Sequence, residues 1–159
     1  MDFTPDLLKE RILLACEWLA RTAMVKEARL EPPTVDRKGF GYASWKGAIR
    51  GEYSAAEGIW WFFCPVWHTG QALKAFAEAA SLFPNGFSFE KEAREAAGFL
   101  LGCQVWDPSS PDHGLLLAYE DFPDKVNTSA VLETLDGFLA AKRSGLVPGL
   151  LDRTAAAGR

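Results

Sequence analysis

Five acidic residues lie in one stretch of the sequence that could carry acid–base chemistry: Asp107, Asp112, Glu120, Asp121 and Asp124. Cleavage of a glycosidic bond commonly uses two carboxyl groups, one protonated as the acid and one ionised as base or nucleophile. We select Asp112 and Glu120 as the candidate catalytic pair, because nearby aromatic and leucine side chains would raise the pKa of a carboxyl group. The alternative role of these acids is that of solvated turn formers.

The two histidines, His68 and His113, are the next candidates. An imidazole titrates near neutral pH and hydrogen-bonds to hydroxyl groups, so either residue suits substrate binding. The alternatives are a polar residue at a helix start for His68 and a turn residue beside Gly114 for His113. Their wide separation gives no metal-ligand spacing, and we expect no metal ion.

An aromatic group accompanies these polar residues and consists of Trp60, Trp61, Trp67, Trp106 and Tyr119. Tryptophan faces suit the apolar C–H faces of sugar rings, and the indole N–H remains available as a donor. Two alternatives stay open. These rings can fill the core between loops and helices, or they can form a surface on which further helices dock.

A repeat in the sequence places some of these residues at helix starts. The run 68–76 (HTGQALKAF) recurs as 127–135 (NTSAVLETL), with apolar residues in register, Leu73 with Leu132 and Phe76 with Leu135. Such repeats are typical of stacked supersecondary units. His68, Gln71 and Asn127 then lie in the first turns of equivalent helices.

Helical periodicity and capping signals predict four helices, over about residues 5–27, 68–83, 89–105 and 128–144. Two long connections, 28–66 and 106–126, precede the second and fourth helices. The glycine pair Gly98 and Gly102 is costly inside a helix, and we expect close helix packing to explain it.

The chain resembles the (α/α) toroid of the six-hairpin glycosidase type over about residues 5–145. The resemblance rests on the runs 67–73 (WHTGQAL), 127–129 (NTS), 93–101 (AREAAGFLL) and 113–115 (HGL). It implies an all-α fold, a partial (α/α) toroid made of two helical hairpins with two long loops on one face. The whole chain, 1–159, would be a single partial domain in which the second and fourth helices line the cleft.

Composition excludes several classes of function. The net charge of −4 gives no general attraction for nucleic acid, and no apolar run is long enough to span a membrane. Three cysteines without a CxxC motif fit buried free thiols in the cytoplasm. No motif for a nucleotide, and hence no cofactor, is recognised.

The resemblance implies part of a carbohydrate-active enzyme, a glycoside hydrolase or a related epimerase or lyase, acting on an oligosaccharide or a uronic-acid-containing substrate. The binding residues would converge at one mouth, and they are Trp60, Trp61, Trp67, His68, Gln71, Trp106, His113, Tyr119 and Asn127. A non-catalytic helical-repeat binding module and an isoprenoid-cyclase-like ring enzyme are the alternatives. Because two hairpins leave flanks uncovered, we expect the chain alone to be inactive and to self-associate.

Overall fold

The computed structural model describes residues 4–118 and 126–149. The helices are α1 (Pro5–Trp18), α2 (Pro65–Leu82), α3 (Glu90–Gly102) and α4 (Thr128–Ser144). Helix α1 continues into a π-helical turn, Leu19–Ala23, which we call the π-turn. Three short strands lie between α1 and α2, namely β1 (Thr34–Val35), β2 (Glu52–Ser54) and β3 (Ile59–Trp61).

The three strands form one small mixed sheet in the order β1-β3-β2. Strand β3 runs parallel to β1 and antiparallel to β2, with Tyr53 opposite Trp60 and Glu52 opposite Trp61. Because side chains alternate along a strand, Tyr53 and Trp60 share one face of the sheet while Glu52 and Trp61 share the other. The two adjacent tryptophans therefore face different surroundings.

The expectation of an all-α partial toroid is wrong. The connection over residues 28–66, predicted as a long loop, contains the sheet. Its strands are two or three residues long, so they show no alternation that a sequence pattern can detect. The described chain is four helices with a mixed sheet inserted after the first.

Helix α1 begins as predicted and ends earlier. The hydroxyl of Thr4 accepts a hydrogen bond from the backbone N–H of Leu7 and caps the first turn. The predicted helix to residue 27 stops because Met24 turns extended and pairs with Ile49 in an antiparallel bridge. In the π-turn the N–H of Met24 donates to the carbonyl of Leu19, five residues back.

Helices α2 and α4 are neighbours that pack with their backbones in contact. A Cβ atom added to Gly137 would lie 2.5 Å from the carbonyl oxygen of Gly70, and one added to Gly70 would lie 2.9 Å from the backbone of Glu133. Lys74 and Asp136 form an ion pair beside this contact. Glycine at both positions is what permits so close an approach.

The two copies of the repeat differ in burial. Leu73 and Phe76 of α2 are fully buried, whereas Leu132 and Leu135 of α4 are 60% and 44% exposed. Together with Leu139, the α4 leucines form an exposed apolar stripe. Self-association through such a surface stays a prediction.

Close helix packing was expected at Gly98 and Gly102, and the structure shows open space there. A Cβ added at Gly98 or Gly102 meets nothing within 4 Å, so close packing does not explain this pair. Cys16, Cys64 and Cys103 are all buried, as expected. Within 4–118 and 126–149, no helix combines the length and apolar character that a bilayer crossing requires.

The glycine contacts generate a prediction about stability. Gly137→Ala forces the α2 and α4 backbones apart and should lower the free energy of unfolding by about 1–3 kcal/mol or more. Gly98→Ala is the matched control: it adds a methyl group in open space and should raise that free energy by about 0.5–1 kcal/mol. Urea unfolding followed by circular dichroism measures both, and equal effects would contradict the proposed packing.

Candidate functional site

One cleft of the structure is lined by two of the predicted site residues, His68 and Gln71. It has a volume of about 350 Å³ and is bounded by the π-turn, residues 49–51 and the first half of α2. Its lining is Trp18, Leu19, Ile49, Arg50, Gly51, His68, Gln71, Ala72 and Ala75. This volume lies near the lower end of the roughly 300–1,000 Å³ typical of ligand pockets. We call it the α1/α2 cleft.

His68 is held in the first turn of α2 by the segment that leads into the helix. Its Nδ1 atom lies 2.7 Å from the carbonyl oxygen of Phe63. A Cβ atom on Gly51 would come within 2.5 Å of that oxygen and 3.1 Å of Nδ1. Gly51 therefore leaves the space in which the imidazole and the carbonyl meet.

The contact with Phe63 fixes the tautomer of His68. A carbonyl oxygen only accepts hydrogen bonds, so Nδ1 carries the proton and Nε2 is the unprotonated nitrogen of the neutral ring. Burial lowers the pKa of His68 below its ordinary value, against smaller opposing effects of the Phe63 carbonyl and the charge of Glu52. Near neutral pH, His68 thus presents Nε2 as a base and hydrogen-bond acceptor.

Arg50 lines the same cleft and closes the end of the π-turn. Its Nε donates to the hydroxyl of Thr34 at 2.8 Å, and its Nη1 donates to the carbonyls of Thr22, Ala23 and Met24 at 3.0–3.3 Å. A cation at a helix C-terminus is favoured by the helix dipole. Burial lowers the pKa of Arg50, an effect that the charge of Glu31 partly opposes.

An aromatic wall borders the cleft. Trp18, 51% exposed, lies with its ring centre 5.9 Å from that of Trp60, and Trp60 lies 5.1 Å from Tyr53. The guanidinium of Arg50 is 5.8 Å from the ring centre of Trp60. Trp18 thus lines the cleft itself, and Trp60 extends this aromatic surface towards Arg50.

The other two tryptophans of this region lie elsewhere. Trp61 is on the opposite face of the sheet, where the guanidinium of Arg37 stacks on its ring. Trp67 is half-buried and packs against the hydrophobic core. Neither lines the α1/α2 cleft, so Trp60 alone of the neighbouring pair Trp60 and Trp61 borders it.

Residues 103–117 form a hairpin-like loop that carries a separate polar group. Hydrogen bonds between Val105 and Leu115 and from Leu117 to the carbonyl of Cys103 close it. Trp106 and His113 lie with ring centres 6.3 Å apart near its tip. Asp112 is an exposed turn residue there, and none of these three side chains lines the α1/α2 cleft.

Of the remaining candidate site residues, one caps a helix and two lie outside the described residues. Asn127 caps α4, since its side-chain oxygen accepts from the N–H of Ser129 at 2.9 Å. Tyr119 and Glu120 lie outside the described residues, as does the proposed pairing of Glu120 with Asp112. The single mouth that was expected is therefore reduced to His68, Gln71 and the bordering Trp60.

Two cleft residues were missed by sequence reasoning. Trp18 was not selected, and its position at the end of α1, directly before the π-turn, has no signature in the sequence. Arg50 was not selected, because its partners lie 16 to 28 residues upstream and local sequence patterns do not reveal such long-range pairing.

Metal binding finds no support in the cleft. Over residues 4–118 and 126–149, no three His, Cys, Asp or Glu side chains gather closely enough to hold an ion. The chemistry available is hydrogen bonding by His68, Gln71 and Arg50 and stacking on Trp18 and Trp60.

Comparison of the chain with protein-family models, with curated proteins and with solved structures finds no match. The geometry of the α1/α2 cleft is therefore the basis on which a function can be assigned.

The environment of His68 predicts how stability depends on pH. Its pKa is lowered in the folded state, so the unfolded chain binds this proton more readily as pH falls below about 6.5. The free energy of unfolding should fall from there down to the lowered native pKa, by no more than ~1.4 kcal/mol per pH unit for one proton. His68→Asn, whose amide can replace the Nδ1 donor, should reduce this fall.

Urea unfolding between pH 8 and pH 5 measures the effect. His113→Asn, in the exposed turn, is the matched control and should keep the wild-type fall. If the free energy of unfolding depends on pH in the same way in the wild type and in His68→Asn, the imidazole of His68 is not held neutral.

Proposed function

We propose that this protein binds a saccharide in the α1/α2 cleft as part of a carbohydrate-active function. The observation that carries the proposal is one cleft in which exposed aromatic rings stand beside hydrogen-bonding groups. Sugar rings offer this combination, an apolar C–H face and a rim of hydroxyls. The proposal concerns this cleft alone and does not depend on a toroid.

The aromatic wall supports stacking. Trp18 exposes half of its surface at the cleft edge, and Trp60 continues the wall on strand β3. The floor is apolar, since Ile49 and Ala72 are both buried. A pyranose ring laid on this floor would bury its C–H groups and leave its hydroxyls at the rim.

The polar rim supports recognition of hydroxyl groups. Nε2 of His68 accepts a hydrogen bond, and the exposed amide of Gln71, one turn further along α2, both donates and accepts. Both residues project from one rigid helix, so their spacing is set before a ligand arrives. Such preorganisation lowers the entropy lost on binding.

Catalysis is the second candidate, favoured by the neutral state of His68. A base at Nε2 suits removal of a proton from water in a hydrolase, or from a sugar carbon or hydroxyl in an epimerase or a lyase. Glu52 is the acid whose charge reaches His68. Among the residues that the structure describes, no carboxylate lines the cleft, so binding is the better supported function.

A substitution at the aromatic wall tests the proposal. Trp18→Ala removes an exposed stacking surface without opening the core, and it should weaken saccharide binding at least tenfold, about 1.4 kcal/mol. Titration calorimetry with tetrasaccharides of glucose, xylose, N-acetylglucosamine and galacturonate measures the affinity. Reducing-end and ultraviolet assays on the same mixtures report hydrolysis or elimination.

Trp106→Ala is the comparison variant, because Trp106 is an exposed tryptophan of the other candidate region. It should leave the affinity unchanged. Loss of binding in Trp106→Ala but not in Trp18→Ala would move the site to the 103–117 loop, and no binding of any tetrasaccharide by the wild-type chain would overturn the proposal.

A further inference from the structure

Arg50 is a half-buried cation whose hydrogen bonds to the described residues go to neutral groups. Within that part of the chain its Nε and Nη1 donate to one hydroxyl and three backbone carbonyls. Within residues 4–118 and 126–149, no carboxylate lies within ion-pair distance of its guanidinium. The charge of Glu31 acts on Arg50 without forming an ion pair with it. Charges removed from water are normally paired, so an anion that contacts the guanidinium directly would be favoured here.

Arg50 lines the cleft and has donors that the hydrogen bonds given above do not use. A guanidinium has five N–H groups, and the two on Nη2 take no part in the bonds to Thr34 or to the π-turn. Arg50 lines the α1/α2 cleft together with His68 and Gln71. Its planar group is also held in place from two sides, which fixes its position before binding.

We infer that the α1/α2 cleft selects an acidic saccharide, one that carries a carboxylate, and that Arg50 is the residue that binds this carboxylate. The inference rests on the proposed function and narrows its ligand to uronic-acid-containing sugars. A carboxylate oxygen would accept from Nη2 of Arg50, and the amide of Gln71 has a further donor for the second oxygen or a neighbouring hydroxyl.

The position of the charge explains why the ligand is acidic rather than neutral. A neutral sugar entering the cleft would further desolvate the guanidinium without supplying a counter-charge. A uronate supplies the counter-charge within the same half-buried space, where charge-assisted hydrogen bonds are stronger than neutral ones. His68, neutral and accepting through Nε2, then has a sugar hydroxyl rather than the carboxylate as its partner.

Pairs of ligands that differ in charge and by one methyl group per acid test the inference on the unmodified protein. Tetramers of galacturonate, mannuronate and guluronate are titrated as free acids and as methyl esters, beside the neutral tetrasaccharides. At least one free acid should bind ten or more times tighter than its ester. This preference should shrink as salt is raised from 50 to 500 mM.

Arg50→Gln supplies the second measurement. It should bring the affinity ratio of acid to ester close to one, with circular dichroism and the urea midpoint confirming that the variant is folded. Should the variant not fold, the acid-to-ester ratio of the wild-type chain still decides, because it needs no substitution.

The outcomes separate the two claims. Equal binding of acid and ester, or tight binding of neutral tetrasaccharides alone, overturns the inference about Arg50 and leaves saccharide binding in place. Binding of none of the acids, esters or neutral sugars overturns the proposed function and the inference with it. A preference for the acid that survives in folded Arg50→Gln assigns the carboxylate to another residue and contradicts the role of Arg50.

Discussion

The hydroxyl of Thr69 joins the segment 47–51 to helix α2. It accepts a hydrogen bond from the backbone N–H of Ile49 at 2.9 Å and donates to the carbonyl of Pro65 at 2.6 Å, in a fully buried position. Both ends of the segment lie close to other backbone, since a Cβ on Gly47 would overlap the carbonyl of Glu95 in α3 and one on Gly51 would lie 2.5 Å from the carbonyl oxygen of Phe63. Removing a buried hydroxyl that bonds both to Ile49 and to Pro65 would lower the free energy of unfolding. The two hydrogen bonds of Thr69 therefore determine where the segment 47–51 lies.

The position of the segment 47–51 determines the shape of the α1/α2 cleft. Because residues 47–50 pair with the chain that follows the π-turn, helix α1 must end there, and Arg50 reaches the carbonyls that the ending leaves exposed. The next residue, Gly51, admits the contact between Phe63 and His68. One segment thus places the cation, the base and the end of the helix that bears Trp18 around the same space.

Local signals predicted some of this arrangement and tertiary contacts decided the rest. The bounds of α4 follow from its asparagine cap, its terminal lysine and arginine, and Gly145 in the left-handed conformation, all of which act within the element. His68 and Gln71 were selected because a helix start places them on one surface. The position of Arg50 depends on partners far along the chain, and Asp112 was selected for its neighbours in sequence rather than in space. The repeat indicated equivalent surroundings for the apolar residues of α2 and α4, but those of α2 are buried and those of α4 are exposed.

The state of His68 is the most direct test, because His68 and His113 are the only two imidazoles and each reports on one candidate region. We would record the ring nitrogen shifts of both histidines by two-dimensional ¹H–¹⁵N NMR near pH 7.5, without and with a tetrasaccharide. The predicted result is a neutral His68 protonated at Nδ1, whose Nε2 shift moves on saccharide addition while His113 stays unchanged. A proton on Nε2 of His68, or a saccharide-dependent shift confined to His113, would contradict the cleft as the binding site.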